Sequence, residues 1–276
     1  MASAANAEAG FALDGKCCVV TGGGSGIGAA ICRHFAAQGA NVVVVDLNLA
    51  EAEQVAAAVD GLAIRADCGS EMDLRKVILR AEFEVGPIEV FVANAGIPSN
   101  GGVDVPNDEW QRIMAINFYQ HVFVARHIFP HWQQRGGGQH LVITASAAGL
   151  LTQVGSLPYA VTKHAAVAVA EWLAITYADD GIKVHCLCPQ AVRTAMAPDD
   201  GGVAGGDGVI EPEQVAEDVH RALVTGEFLV TPHAAVRKYM QRKAADYDRW
   251  LKGMGRLHKA FGELMLRAPP MTAAKL

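Results

Sequence analysis

The amino-acid sequence predicts a single α/β domain built on a doubly wound parallel sheet with helices on both faces. Two observations predict it: apolar strand-like runs alternate strictly with helical patterns, and a glycine-rich turn directly follows the first run. Alternation of this kind implies right-handed crossovers, which cover both faces of a parallel sheet. Ligand sites in such sheets open at the carboxyl ends of the strands.

The elements follow from local patterns in chain order. Apolar runs typical of buried strands occupy residues 17–21, 41–46, 62–65, 88–94, 140–146, 182–188 and 228–230. Helical patterns lie between them, over residues 26–38, 48–59, 70–85, 107–134, 158–179 and 212–225. Several of these begin at Asp, Asn, Ser or Pro and end at Gly, as helices do.

Length and composition favour one domain. The chain has 276 residues, 51% of them apolar, which is enough to bury one large core, and nothing marks a linker. We expect a flexible N-terminus over 1–13, a catalytic domain over 14–235, and a helical extension over 236–276. That extension has a basic, amphipathic pattern, so it packs on its own subunit, on a neighbouring subunit, or on a membrane.

Charge and cysteine usage exclude several classes of function. The net charge is −6 and no basic stripe dominates the first 230 residues, which argues against a nucleic-acid partner. The six cysteines lie mostly in apolar contexts, as reduced buried thiols do, so we expect a cytoplasmic protein. We expect no secretory signal and no membrane span.

The glycine-rich turn predicts a dinucleotide site. Glycines at 22, 26 and 28 connect the first strand to a helix, so the backbone can approach a pyrophosphate while the helix directs free N–H groups at it. Asp46 ends the next apolar run, where a carboxylate can accept hydrogen bonds from ribose hydroxyls. A 2′-phosphate would be repelled there, and the sequence shows no nearby cation to relieve this. The predicted cofactor is therefore NAD.

Tyr159 and Lys163 form a candidate acid–base pair. They lie four residues apart on one helical face, so the ammonium, with oxidised nicotinamide, can lower the phenol pKa toward neutrality. Ser146 can hydrogen-bond the reacting oxygen, and Asn117 can hold a water that links Lys163 to solvent. Each residue also has an ordinary structural explanation: a surface helical pair, a turn cap and a satisfied core amide.

Taken together, the glycine turn, Asp46, Asp67, the 94–96 turn and these four residues resemble the short-chain dehydrogenase/reductase family over residues 14–230. The resemblance implies a Rossmann-type sheet of seven parallel strands and a catalytic tetrad matched by Asn117, Ser146, Tyr159 and Lys163. It also implies cofactor contacts from Gly22, Ser25, Gly26, Ile27, Gly28, Asp46, Leu47, Asp67, Cys68, Asn94, Ala95, Gly96, Tyr159, Lys163, Pro189, Val192 and Thr194. Among these, Lys163 binds the nicotinamide ribose and Thr194 reaches the carboxamide.

One departure from the family pattern lies at the end of the sixth strand, where Gln190 stands in place of the usual glycine. Its side chain narrows the pocket, bonds substrate, or points to solvent. Residues 190–211 form the expected substrate loop, with the glycine-rich part either a lid or a plain connector. The pocket lining is expected to include Ala147, Ala148, Leu150, Val154, Ser156 and Gln190.

Two histidine- and cysteine-containing patterns do not predict a metal site. In residues 185–188, strand alternation sends His185 and Leu187 to one face and the two cysteines to the other. His127 and His131 have helical zinc-site spacing but no accompanying glutamate motif or third ligand. The helices over 107–134 and 164–174 carry more apolar residues than one buried face needs, which favours a homodimer or homotetramer.

The sequence hypothesis is an NAD-dependent dehydrogenase or ketone reductase with Tyr159 as general acid/base. The mostly apolar pocket favours a secondary alcohol on a bulky skeleton of steroid, lipid or aromatic type. Two alternatives remain: a non-catalytic NAD-binding sensor or scaffold, and a lyase or epimerase that uses NAD transiently.

Overall fold

A seven-stranded parallel sheet forms the centre of the protein in a computed structural model, which describes residues 11–196 and 201–262. Its order is β3-β2-β1-β4-β5-β6-β7, which confirms the predicted Rossmann-type α/β fold. The strands are β1 (Cys17–Thr21), β2 (Asn41–Asp46), β3 (Leu62–Arg65), β4 (Ile88–Ala93), β5 (His140–Thr144), β6 (Lys183–Leu187) and β7 (Leu229–Val230).

Ten α-helices are present in the described part of the chain. They are α1 (Gly26–Ala37), α2 (Leu49–Ala58), α3 (Glu71–Glu84), α4 (Asn107–Met114), α5 (Gln120–Gln134), α6 (Ala148–Leu151), α7 (Leu157–Thr176), α8 (Pro212–Thr225), α9 (Ala235–Ala245) and α10 (Tyr247–Leu257). The predicted single helix over 107–134 is interrupted, because a π-helical turn over Ala115–Tyr119 separates α4 from α5.

The core consists of two apolar layers, one on each face of the sheet. Side chains alternate along β1, so that Val19 belongs to the layer covered by α3, α5 and α7, and Val20 to the layer covered by α1, α2 and α8. Each strand residue from Val42 to Val45 is buried, as expected for a sheet covered on both faces.

The strand order reverses beside β1, which sets the position of the site. β1 pairs with both β2 and β4, and the chain leaves β1 through the glycine turn into α1. A crevice opens at the carboxyl ends of the strands where the order changes. Asn94, Ser146 and Pro189 all follow strands that end at this edge.

The helices after β7 pack on the same chain. Ala147, Leu151 and Val236 form a small buried cluster, against which Tyr239, Met240, Trp250 and Leu150 pack. The Lys243 ammonium also donates to the Leu150 carbonyl at 2.7 Å. No helix among the described residues is long and apolar enough to cross a membrane.

Candidate active site

The glycine turn adopts a backbone that only glycine accommodates at its main positions. Gly22 and Gly26 have positive φ values of 63° and 50°, and a Cβ on Gly28 would overlap the carbonyl oxygen of Gly22. Ser25 begins α1, yet its hydroxyl makes no capping bond to the helix. The first N–H groups of a helix have no intrahelical acceptor, so this turn fits an anionic diphosphate.

Asp46 fastens the second strand end to the turn. One carboxylate oxygen accepts from the Gly24 N–H at 3.0 Å, and the other accepts from the Asn48 N–H at 3.0 Å. Arg65 lies directly across from Asp46 in the β2–β3 register, and its Nε donates to the Leu47 carbonyl at 3.2 Å. The expectation of no nearby cation was therefore wrong, because strand pairing brings in a residue that is distant in sequence.

The floor beside the turn is held by two side chains that the sequence analysis missed. Thr21 Oγ accepts from the N–H groups of Asn94 and Ala95 at 2.9 and 3.1 Å. The buried Gln120 amide donates to the carbonyls of Ala95 and Ile116. Thr21 was visible as the strand's last residue, whereas nothing local in the sequence connects Gln120 with Ala95.

Asn117 is fully buried in the π-helical turn and its amide is occupied by the neighbouring loop. Its Oδ1 accepts from the Ile97 N–H at 2.8 Å, and its Nδ2 donates to the Ile97 carbonyl at 2.9 Å. A Cβ placed on Gly96 would lie 3.4 Å from that Oδ1 and 3.6 Å from Lys163 Nζ, so both groups face the same glycine. The amide thus clamps the 94–97 turn, and its expected role in holding a water stays a prediction.

Tyr159 and Lys163 project from α7 into the crevice. The Lys163 ammonium donates to the Thr144 carbonyl at 2.9 Å and lies 5.6 Å from the centroid of the Tyr159 ring. Ser146 follows β5, and its hydroxyl accepts from the Ala148 N–H at 3.1 Å. Ser146, Tyr159 and Lys163 line the same cleft, so three of the four predicted tetrad members lie together.

Burial dominates the titration of both helix residues. It lowers the pKa of Lys163 from 10.5 to about 8, because the charged form loses its hydration. It also raises the pKa of Tyr159, against the lowering effect of the Ser146 hydrogen bond. The predicted lowering of the phenol pKa depends on the ammonium and on oxidised nicotinamide together, and it stays a prediction.

A continuous cleft of about 1000 Å³ joins these groups. Of the predicted cofactor residues, all but Gly28 line it, and so do Ser146, Tyr159 and Lys163. Asn117 and Gly28 lie behind the lining, where they support its shape. The predicted substrate residues Ala148, Val154, Ser156 and Gln190 also line the cleft, but the Ser156 hydroxyl is already donated to the Ser99 carbonyl.

The far end of the cleft contains residues that the sequence analysis did not select. α9 and α10 contribute Tyr239, Arg242, Trp250, Met254 and Leu257 to the lining. The helical spacing of apolar residues in the tail was the available signal, but it did not show which surface the tail covers. Leu150, expected in the lining, packs instead against these helices, while Leu151 lines the cleft.

The histidines and cysteines outside the cleft have ordinary partners. His185 Nε2 lies 2.9 Å from His140 Nδ1, whereas the Cys186 and Cys188 sulfurs lie 3.7 Å apart in the layer beneath α7. His127 and His131 contact separate glutamates of α3, at 3.0 and 2.9 Å. Among the residues that the structure describes, no group of three or more His, Cys, Asp or Glu side chains is arranged to hold a metal ion.

The fold and the cleft together define a dinucleotide-dependent oxidoreductase. The short chain dehydrogenase family model matches residues 16–201, so the chain belongs to the short-chain dehydrogenase/reductase family. It is accordingly a dehydrogenase of the alcohol type that uses a nicotinamide cofactor.

Known proteins agree with this assignment. The chain is 34% identical over 238 residues to a 1-deoxy-11-beta-hydroxypentalenate dehydrogenase from Streptomyces exfoliatus, covering 82% of this chain and 86% of that protein. It is 32% identical over 188 residues to a meso-2,3-butanediol dehydrogenase from Serratia marcescens, covering 67% and 74%. A short-chain dehydrogenase/reductase from Burkholderia phymatum, solved with NAD, superposes with a TM-score of 0.80 at 23% identity, covering 86% of this chain and 96% of that chain. This last likeness supports the fold alone.

Proposed function

We propose that the protein is an NAD-dependent dehydrogenase that oxidises a secondary alcohol on a bulky apolar skeleton. The observation that carries the proposal is one continuous cleft lined both by the glycine turn and Asp46 and by Tyr159, Ser146 and Lys163. Binding, proton transfer and substrate enclosure are thereby combined in a single space.

The chain's own residues supply the proton chemistry. Oxidised nicotinamide, if held by the glycine turn and Asp46, would supply a hydride acceptor, so that an alcohol would become a ketone and one proton would be left for the protein. Tyr159 takes this proton from the alcohol oxygen, while the Ser146 hydroxyl hydrogen-bonds the same oxygen. Lys163 stabilises the phenolate and is itself positioned by the Thr144 carbonyl. In the reverse direction Tyr159 donates the proton to the ketone.

NAD is the proposed cofactor because Asp46 stands where an adenosine ribose would lie. Its carboxylate is held by two backbone N–H groups, which fixes a negative charge at that position. A 2′-phosphate brought there meets this charge. Arg65 faces the same region, but its Nε is engaged by the Leu47 carbonyl.

The substrate class follows from the cleft rather than from the relatives. By their names, the Streptomyces protein acts on a pentalenate and the Serratia protein on a small diol, so the two relatives differ in substrate size. The far end here is lined by Leu151, Val154, Trp250, Met254 and Leu257. Apolar walls favour a large hydrocarbon skeleton, since burying it releases water from both surfaces.

A panel of secondary alcohols, incubated with NAD at pH 8–9, tests the proposal by NADH absorbance. We expect the protein to oxidise bulky alcohols. We expect kcat to fall at least a thousandfold in Tyr159→Phe, which corresponds to a loss of about 4 kcal/mol of transition-state stabilisation. Tyr247→Phe is the matched control, because Tyr247 is 56% exposed on α10 and does not line the cleft.

The same assay separates the competing functions. A sensor or scaffold binds NADH, seen by fluorescence, but turns over nothing in the panel. A lyase or epimerase gives product without net NADH. Either result, obtained with folded protein and a broad panel, contradicts the proposed dehydrogenase.

We further propose a homodimer or homotetramer that assembles through α5 and α7 and resides in the cytoplasm. A groove of about 610 Å³ between these helices is lined by Phe118, Val122, Val169 and Trp172. Trp172 is 59% exposed in the single chain, an unusual state for a large aromatic side chain. The six cysteines are buried and unpaired, which suits a reducing compartment.

A further inference from the structure

Gln190, the residue that departs from the family pattern, is part of a hydrogen-bonded group of four side chains. Its Nε2 donates to Asp207 Oδ2 at 3.1 Å, and the Tyr239 hydroxyl donates to Asp207 Oδ1 at 2.9 Å. The Gln190 N–H donates to Nδ1 of the buried His233 at 3.2 Å. Four segments therefore meet here: the end of β6, residues 201–208, the loop after β7, and α9.

Residues 201–208 are here called the covering segment. At their C-terminal side, the bridge between Val192 and Ile210 closes the loop, with the Arg193 N–H donating to the Ile210 carbonyl at 2.9 Å. Within the segment, Gly202–Asp207 form a 3₁₀ helix, whose hydrogen bonds are weaker than those of an α-helix. The segment is glycine-rich, so ordering it costs more backbone entropy than usual.

Both oxygens of the Asp207 carboxylate accept hydrogen bonds, one from Gln190 and the other from Tyr239. Hydrogen bonds to a charged acceptor are stronger than neutral ones, so this carboxylate is a suitable anchor for a short, glycine-rich segment. Tyr239, which donates to this carboxylate, is itself held by packing. Its ring centroid lies 6.3 Å from that of Trp250, and it packs on the cluster of Ala147, Leu151 and Val236.

We propose that Asp207 is a positioning residue that fastens the covering segment to Gln190 and to α9, so that α9 and α10 become one wall of the substrate pocket and set the size of alcohol accepted. The proposal deepens the proposed function and rests on it for the identity of the substrate end. Gln190, Tyr239, Trp250 and Met254 all line that end of the cleft. The glutamine accordingly acts on substrate through the covering segment.

Three variants test the anchor. Asp207→Ala removes both accepted bonds, and Tyr239→Phe removes one. Asp207→Asn is expected to restore both hydrogen bonds. The asparagine oxygen can accept from Tyr239. If the Gln190 amide rotates by 180°, the asparagine NH₂ can donate to Gln190 Oε1, which has no hydrogen-bond partner in the structure. Asp104→Ala, at an exposed acidic residue, is the matched control.

Hydrogen exchange of the amides in 202–208, followed by mass spectrometry, is the first readout because it needs no substrate. We expect exchange at least tenfold faster in Asp207→Ala, an intermediate increase in Tyr239→Phe, and rates within twofold of wild type in Asp207→Asn and Asp104→Ala. Equal exchange in Asp207→Ala and wild type overturns the anchor. This result stands even if no alcohol is turned over, so failure of the anchor and failure of the proposed function remain distinguishable.

Steady-state kinetics with one bulky and one small secondary alcohol test the pocket wall. We expect Asp207→Ala to raise KM for the bulky alcohol at least tenfold, with kcat changed less than threefold and KM for the small alcohol changed less than threefold. A loss of kcat with both alcohols, or an equal rise in both KM values, contradicts the role in selecting substrate size.

Discussion

At the scale of single residues, the site depends on a lysine placed where water is excluded and on a partly buried tyrosine beside it. Lys163 is only 3% exposed and is held by the Thr144 carbonyl. Burying this ammonium destabilises the folded protein, a cost that the proposed function requires. Tyr159 faces the same cost in its ionised form, so its phenolate forms only where positive charge is added beside it.

The cost of burying Lys163 predicts a pH-dependent gain in stability from Lys163→Met. Because folding lowers the lysine pKa from 10.5 to about 8, the unfolded state binds more protons between these values, and wild-type stability rises with pH across that window. We expect the variant to be inactive and more stable than wild type below pH 8, with the difference shrinking between pH 8 and 10.5.

Chemical denaturation of both proteins at several pH values measures this difference. Lys183→Met, at an exposed lysine of β6, is the control and is expected to show no such trend. A stability difference that is constant from pH 7 to 10.5 contradicts the account of Lys163.

Asp46 predicts the cofactor preference. Asp46→Ala removes the fixed charge, so the ratio of kcat/KM for NAD over NADP is expected to fall at least tenfold, about 1.4 kcal/mol. Arg65→Ala is the paired variant and should leave that ratio in favour of NAD. Wild-type protein that prefers NADP contradicts the role assigned to Asp46. Steady-state kinetics with both cofactors decides this.

The identity of a site residue could be predicted where its type and its spacing from other residues together indicate a chemical role. Tyr159, Lys163, Ser146 and Asp46 were selected because their spacing and strand-end positions imply contact with one ligand. Arg65 was missed because its closeness to Asp46 arises from strand pairing, which a linear pattern does not show.

At the scale of elements, the π-helical turn between α4 and α5 shapes the cofactor floor. The wider turn frees backbone carbonyls and directs Asn117 toward Ile97, while Gln120, at the start of α5, reaches the Ile116 and Ala95 carbonyls. The floor is thus tied to a helix through two amides.

Gln120→Ala is expected to loosen this floor. Two partly buried carbonyls lose a donor, so we expect about 2 kcal/mol less stability and a rise of at least fivefold in the Kd for NADH. Denaturation and NADH fluorescence titration measure the two effects. Gln134→Ala, at the exposed end of α5, is the control. Unchanged NADH affinity in a folded Gln120→Ala protein contradicts the role of Gln120.

The existence and type of the longer elements were predictable because apolar periodicity is strong within each of them. The break at Ala115–Tyr119 was not, because residues on both sides continue one helical pattern, and tertiary contacts from Asn117 and Gln120 select the wider turn. The four-residue α6 is too short to give a periodic signal.

At the scale of the whole molecule, the apolar groove between α5 and α7 predicts self-association. Trp172→Glu places a charge in the groove, so we expect weaker subunit association. The dissociation constant of the oligomer, measured by sedimentation velocity, should rise at least tenfold. Phe83→Glu is the control, because Phe83 is 90% exposed on α3 outside the groove. A monomeric wild-type chain contradicts the proposed assembly.

The overall architecture was predictable because a parallel sheet imposes alternation on the whole chain. The composition of the far end of the cleft was not: whether the tail meets its own domain, a neighbour or a membrane depends on the packing of α9 against α6, between residues far apart in sequence. Tyr239 and Trp250 line the cleft because this packing places them there.

The most direct test of the dehydrogenase assignment is to follow deuterium from the carbinol carbon of a secondary alcohol that the protein oxidises. We expect one deuterium in each NADH formed and an equal amount of ketone, and we expect neither product from Tyr159→Phe. Deuterium released to water, or a product formed without labelled NADH, would contradict direct hydride transfer.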